Sequence, residues 1–147
     1  MKNAQSVLTV VLFAAMLSAP RAAGAQGGAA VYVVQFGDLK AQMGKMAARA
    51  EALADHGTPI QKAEFLEDSL ALLKLVHRLG EGAAESNTRV MRQGAQANKR
   101  LLLISVAATA LTVESMALDG LVHTGDSSFK AAARDADAVA TNLGKGM

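Results

Sequence analysis

From Leu39 onward, apolar side chains return at every third or fourth position. Leu39, Met43, Met46, Ala50 and Leu53 mark one face of a helix, with Asp38 as its expected N-cap and Gly57 as its stop. The next start is sharper. Thr58 stands at a cap, Pro59 at the first helical position, and Gln61 where a capping box places it. The helix that follows is predicted to run to about Leu79, to end at Gly80-Glu81-Gly82, and to bury Phe65, Leu66, Leu70, Leu73 and Val76. The short Asp55-His56-Gly57-Thr58-Pro59 connection makes these two helices an antiparallel hairpin.

A third apolar helical stretch starts near Ser86 and extends through Leu118. It is either broken between Gly94 and Asn98 or longer than the hairpin. A last helix, about Ser128 to Leu143, carries Phe129, Ala132, Ala133, Ala136, Val139, Ala140 and Leu143 on one stripe, with Asp126 or Ser127 as its cap. Only Ala29 to Phe36, AAVYVVQF, is β-flavoured in composition. It has no second segment to pair with, so it reads as an extended arm. A sharper version makes Val31 and Val33 part of a strand donated to another subunit.

Residues 1–25 have a different character. Lys2 precedes an apolar run from Val7 to Leu17, followed by Pro20 and the small residues Ala23-Gly24-Ala25. That is the layout of a cleavable export signal, and the run is too short for a comfortable membrane span. Together the patterns predict an all-α fold: an elongated bundle of four to five helices over residues 38–147, with a short extended N-terminal arm over 26–37 behind a signal peptide over 1–25.

Export changes the electrostatics. Lys2 and Arg21 leave with the signal, so the 15 bases fall to 13 against 13 acids. The mature chain is then formally neutral, and a general nucleic-acid-binding role loses its support. Cysteine is absent, so neither disulfides nor a lipid-bearing cysteine is available, and stability must come from packing.

The tract from Leu101 to Leu118 is apolar enough to raise the question of lipid. Glu114 falls on the face of Leu103, Ala107, Ala110 and Leu111, opposite Ser105. A carboxylate at mid-bilayer costs about 3 kcal/mol on insertion scales, while each leucine offsets only about 0.5 kcal/mol. After a cleaved signal, Lys99 and Arg100 would lie on the outer side, against the positive-inside rule. The tract is therefore read as packing against protein, its small residues facing the Ala-rich last helix.

Charge is segregated along the hairpin. Lys40, Lys45 and Arg49 precede Glu51 and Asp55 in the first helix, while Glu64, Glu67 and Asp68 precede Lys74 and Arg78 in the second. Antiparallel folding gathers acids at the loop end and bases at the open end. Arg89, Arg92, Lys99 and Arg100 follow in a stretch, Ser86 to Val113, that contains no acid. Lys40, Lys45, Arg78, Arg89, Arg92, Lys99 and Arg100, with Val31 and Val33 on the arm, are the candidate partner-binding residues.

Candidate chemistry is sparse. His56, His77 and His123 share no metal-ligand spacing, and no nucleophile elbow, P-loop or dinucleotide fingerprint occurs. Glu64, Glu67 and Asp68 read as solvated charges near a helix start. Gly37-Asp38-Leu39-Lys40-Ala41-Gln42-Met43 resembles the opening of periplasmic four-helix b-type cytochromes, which implies Met43 as a haem ligand. That family also uses a histidine on the last helix, where this chain has none, so Met43 is assigned to the core.

Arg92 to Ser105, RQGAQANKRLLLIS, resembles the periplasmic minor-pilus subunits of conjugal type IV secretion systems. Their Gln-Ala-x-Asn tract leading into a long C-terminal helix is comparable with Gln96-Ala97-Asn98 here. The resemblance implies an elongated, non-catalytic helical bundle at a pilus tip or adhesion surface. The function expected is thus an exported, non-enzymatic assembly or adhesion component, in the periplasm or at the cell surface. It would bind an acidic protein partner or a second copy, or contact anionic headgroups peripherally at a membrane, with no cofactor, metal or nucleic acid. The alternatives are a helical carrier of an apolar ligand or haem, and an accessory subunit anchored at a membrane.

Overall fold

The structure, a computed structural model, describes residues 25–147; the expected export signal lies, Ala25 apart, outside them. The regular structure of the described residues is entirely helical: α1 (Ala25–His56), α2 (Pro59–Arg92), α3 (Lys99–Thr124) and α4 (Ser127–Gly144). The helices are about 48, 51, 39 and 27 Å long at roughly 1.5 Å per residue.

Cross-helix partners fix an up-down-up-down course. Tyr32 Oη and Ser86 Oγ are 3.2 Å apart, and Arg49 pairs with Asp68, so α2 runs antiparallel to α1. Ser69 Oγ lies 3.1 Å from Ser115 Oγ, and Lys40 Nζ 2.8 Å from Asp137 Oδ1, orienting α3 and α4 in the same alternating sense. The cross-section is not square. α3 packs on all three other helices, whereas α1 and α4 barely touch. The section is a flattened rhombus with α1–α3 as its short diagonal.

Buried positions explain the arrangement. On α1 they are Ala29, Phe36, Leu39, Met43 and Ala50, with Met46 and Leu53 half-buried. On α2 they are Phe65, Ser69, Leu72, Leu75, Val76, Leu79, Ala83 and Asn87. Both sets alternate threes and fours, the spacing of left-handed bundle packing. α4 buries Ala133, Ala136 and Ala140, small residues that let it lie close on α3. Met43, 1% exposed, is core.

Two expectations are corrected. Residues 28–37 are the first turns of α1, not an extended arm. Ala29 and Phe36 fall on the same helical face as Leu39 and Met43, and Tyr32 lies across α2. A helix satisfies the backbone without a partner strand, and tertiary burial outweighs β-branched composition. Val31 therefore points outward from a helix and Val33 packs half-buried on the core, so neither belongs to a donated strand. Asp38 is an exposed residue within α1 rather than a cap.

Second, α2 does not stop at Leu79. Gly80 and Gly82 sit where neighbours come close: a Cβ on Gly80 would lie 3.0 Å from Ala108 Cβ, and one on Gly82 3.1 Å from the Tyr32 ring. They are close-approach positions rather than breakers. The third apolar stretch takes the first of its two expected courses: it is broken, at residues 93–98, between the last turns of α2 and the whole of α3. Gly94 there has φ +81°, in the left-handed region glycine favours.

The Thr58 and Asp126 caps stand where the sequence placed them. Thr58 Oγ1 accepts from Gln61 N at 3.2 Å while Gln61 Oε1 accepts from Thr58 N at 2.9 Å. Asp126 Oδ1 accepts from Ser128 N at 2.8 Å, which holds the Asp126 carboxyl below its usual range. At the start of α3, Asn98 Oδ1 accepts from Arg100 N at 3.0 Å, and Asn98 N donates to Oδ1 of buried Asn87 at 2.7 Å. This clamp ties the 93–98 turn to α2. Asn98→Ala is expected to lower stability by about 1 kcal/mol, seen as an earlier urea midpoint at unchanged slope. An unmoved midpoint would show the turn to be held by other contacts.

Candidate functional site

Two regions of the surface carry chemistry. The first is the end of the bundle where α1 begins, α2 ends and α3 starts. Arg89 and Arg92 lie in the last turn of α2, a placement its dipole favours. Lys99 and Arg100 open α3, where a dipole favours acids instead. All four are exposed and none forms an ion pair among the described residues. No Asp or Glu occurs in residues 25–37, 86–113 or 138–147, and the nearest acid on α2 is Glu85, one turn before Arg89.

Beside this basic end lies an exposed apolar stripe. On α3, Leu102, Val106, Val113 and Met116 recur at spacings of four, seven and three, on the side turned away from α1. Their exposures are 45%, 55%, 49% and 62%. Residues this large and this exposed on one helix face form a contiguous strip. Val31 on α1 and Met91 on α2, 49% and 53% exposed, are further apolar side chains at the basic end. α3 is also the one described helix long and apolar enough to cross a membrane by length and composition. Here its other sides are covered by α1, α2 and α4.

The remaining candidate bases lie elsewhere. Lys40 is half-buried and held by Asp137, so it belongs to the interior of the fold rather than to a docking surface. Lys45 and Arg78 are exposed partway along their helices. Arg78 is three turns from Arg89, about 17 Å. Of the sequence candidates, the structure brings Arg89, Arg92, Lys99, Arg100 and Val31 to one end.

The second region was not singled out from sequence. Because α1 and α4 stand apart, a half-open cleft of about 190 Å³ lies between them, with α3 as its floor. Two ion-pair bridges span it. Lys40 joins Asp137 at one end, and Glu51 takes Lys130 at 2.9 Å and Arg134 at 3.5 Å at the other. The Lys130 hydrogen bond, reinforced by the charges of Lys130 and Arg134, holds the Glu51 carboxyl below its usual range.

Between the bridges, Glu114 faces the cleft from α3. It is 2% exposed, and its Oε2 has no hydrogen-bond partner among the described residues. Burial raises its pKa to about 7, with the Asp137 charge adding to the rise and Lys40 opposing it. The sequence placed Glu114 on the apolar face of its helix. Only the structure shows that this face opens between two helices rather than into a closed core.

A smaller polar cluster lies between α2 and α3. Ser69 and Ser115 are hydrogen-bonded there, and Asp119 Oδ1 is buried without a partner among the described residues. Burial raises the Asp119 pKa, against the Ser69 hydroxyl and the charge of His123. Among the described residues no three His, Cys, Asp or Glu side chains are grouped so as to hold a metal ion.

Comparison of the chain with protein-family models, with curated proteins and with solved structures finds no match.

Proposed function

We propose that this chain is an exported, non-catalytic assembly component that docks an acidic protein partner on the α2–α3 end of its bundle. The observation that carries this reading is the basic end itself, where Arg89, Arg92, Lys99 and Arg100 adjoin the exposed apolar stripe of α3. Apolar contact area supplies affinity, and the bases supply orientation and encounter rate. A periplasmic subunit of a conjugal type IV secretion apparatus, which the Arg92–Ser105 tract suggests, is a setting of this kind.

Long-range attraction between exposed charges is largely screened once the Debye length falls to a few ångströms. An envelope extract passed over the immobilised chain is therefore expected to leave an acidic protein bound at about 0.05 M salt and to release it at about 0.5 M. The combined variant Arg89→Glu, Arg92→Glu, Lys99→Glu, Arg100→Glu is expected to retain none of it. Retention that ignores both salt and charge reversal overturns the docking surface. Recovery of the chain from the cytoplasmic fraction alone overturns export.

A further inference from the structure

We propose that the cleft between α1, α3 and α4 is a binding site for a small organic cation, an ammonium or amidinium group on a compact apolar body, with Glu114 as its anionic anchor. The site stands apart from the docking surface, and either can fail without the other.

The geometry restricts what the cleft can take. Three carboxylates line it, from Glu51, Glu114 and Asp137, against two bases, Lys130 and Arg134. Two of those carboxylates are already engaged: Asp137 by Lys40, and Glu51 by Lys130 and Arg134. Glu114 alone keeps a buried acceptor oxygen unfilled. An anionic ligand would meet that carboxylate head-on. A cationic donor satisfies both its hydrogen bonding and its charge, the stronger combination.

The rest of the lining sets the size and character of the ligand. Leu118 and Leu121 rise from the floor, while Gly44, Ala47 and Ala133 are too small to fill the space. A cavity of about 150 Å³ walled by apolar side chains holds one benzene ring, so 190 Å³ suits a single ring or a short branched chain. The arrangement follows the general form of small-molecule sites, an apolar concavity with one placed polar group.

Benzylammonium is the probe, and benzyl alcohol its neutral counterpart. Titrated into the ¹⁵N-labelled chain at pH 8, benzylammonium is expected to shift the amides of Gly44, Ala47, Leu118 and Ala133, and to bind at least about tenfold more tightly than the alcohol, a difference of about 1.4 kcal/mol. Its binding is expected to weaken from pH 8 to pH 6. Glu114 takes up a proton over that range; the charged groups that face it are Lys40, Asp137, Glu51, Lys130 and Arg134. Glu114→Gln is expected to remove the preference for the cation.

Equal affinity for probe and alcohol overturns the proposal. So does the absence of shifts at about 10 mM probe, well above a Kd of about 1 mM, or a preference that survives in Glu114→Gln. Should that variant not fold, the comparison of cation with alcohol on the unaltered chain decides the matter alone.

Discussion

Glu114→Gln is expected to stabilise the bundle by about 3 kcal/mol at pH 8 and by only a few tenths of a kcal/mol at pH 4.5. The difference is a matter of proton linkage. In the unfolded chain the carboxyl titrates at its ordinary value of 4.5, whereas in the fold it holds its proton to about 7. Between those values the native state binds more protons than the unfolded one, so stability declines as pH rises through this window and stays lower above it. Glutamine keeps the shape, carries no charge to desolvate, and removes the decline. Measuring both chains at each pH cancels the opposite contributions of Glu51 and Asp126, whose carboxyls are held low. Urea midpoints that differ by the same amount at pH 4.5 and pH 8 would contradict this account.

Phe65→Ala is expected to remove about 3–5 kcal/mol, the range for truncating a fully buried aromatic ring. The ring is 0% exposed near the loop end of the α1–α2 hairpin. The Arg49 guanidinium stacks 5.6 Å above its centroid and reaches on to Asp68. Truncation therefore opens a void and also removes the surface on which that ion pair rests. Leu70→Ala, on a residue the sequence assigned to the same buried face, is the internal comparison. Leu70 is 46% exposed, and its loss is expected to stay within about 1 kcal/mol. A similar shift in the two urea midpoints would show the core to be placed elsewhere.

Local chemistry was legible wherever a few neighbouring residues decide the outcome. The Thr58-Pro59-Gln61 start and the Asp126 cap need only a helix and its own side chains, and they stand where the pattern put them; of the seven-residue stripe on the last helix, Ala133, Ala136 and Ala140 are buried while Ala132 and Val139 are exposed. The errors came where a distant helix decides. Val31, Val33 and Val34 bias any compositional reading toward strand, yet Ala29, Tyr32 and Phe36 already continue the spacing of Leu39 and Met43. Period carried more information there than composition. Gly80 and Gly82 each cost α2 about 1 kcal/mol in helix propensity, and from sequence alone that is a stop signal. Their compensation lies with Ala108 and Tyr32, on other helices.

The two candidate regions divide in the same way. The acid-free stretch from Ser86 to Val113 could be read directly, and its four bases map to one end because the chain folds back on itself at residues 93–98. The cleft could not. Glu114 was visible as a charge among apolar neighbours, but its exposure to a cavity depends on α1 and α4 standing apart. That separation follows from how three helices share α3 and is written in no single segment.

The sharing of α3 also sets an order of events during biogenesis. A polypeptide delivered N-terminus first presents α1 and α2 before the segment that fills the seam between them has emerged. Until Lys99–Thr124 arrives, the side chains that later enclose it remain wet and adhesive, so a holding factor that shields them has a defined moment to act and a defined moment to let go.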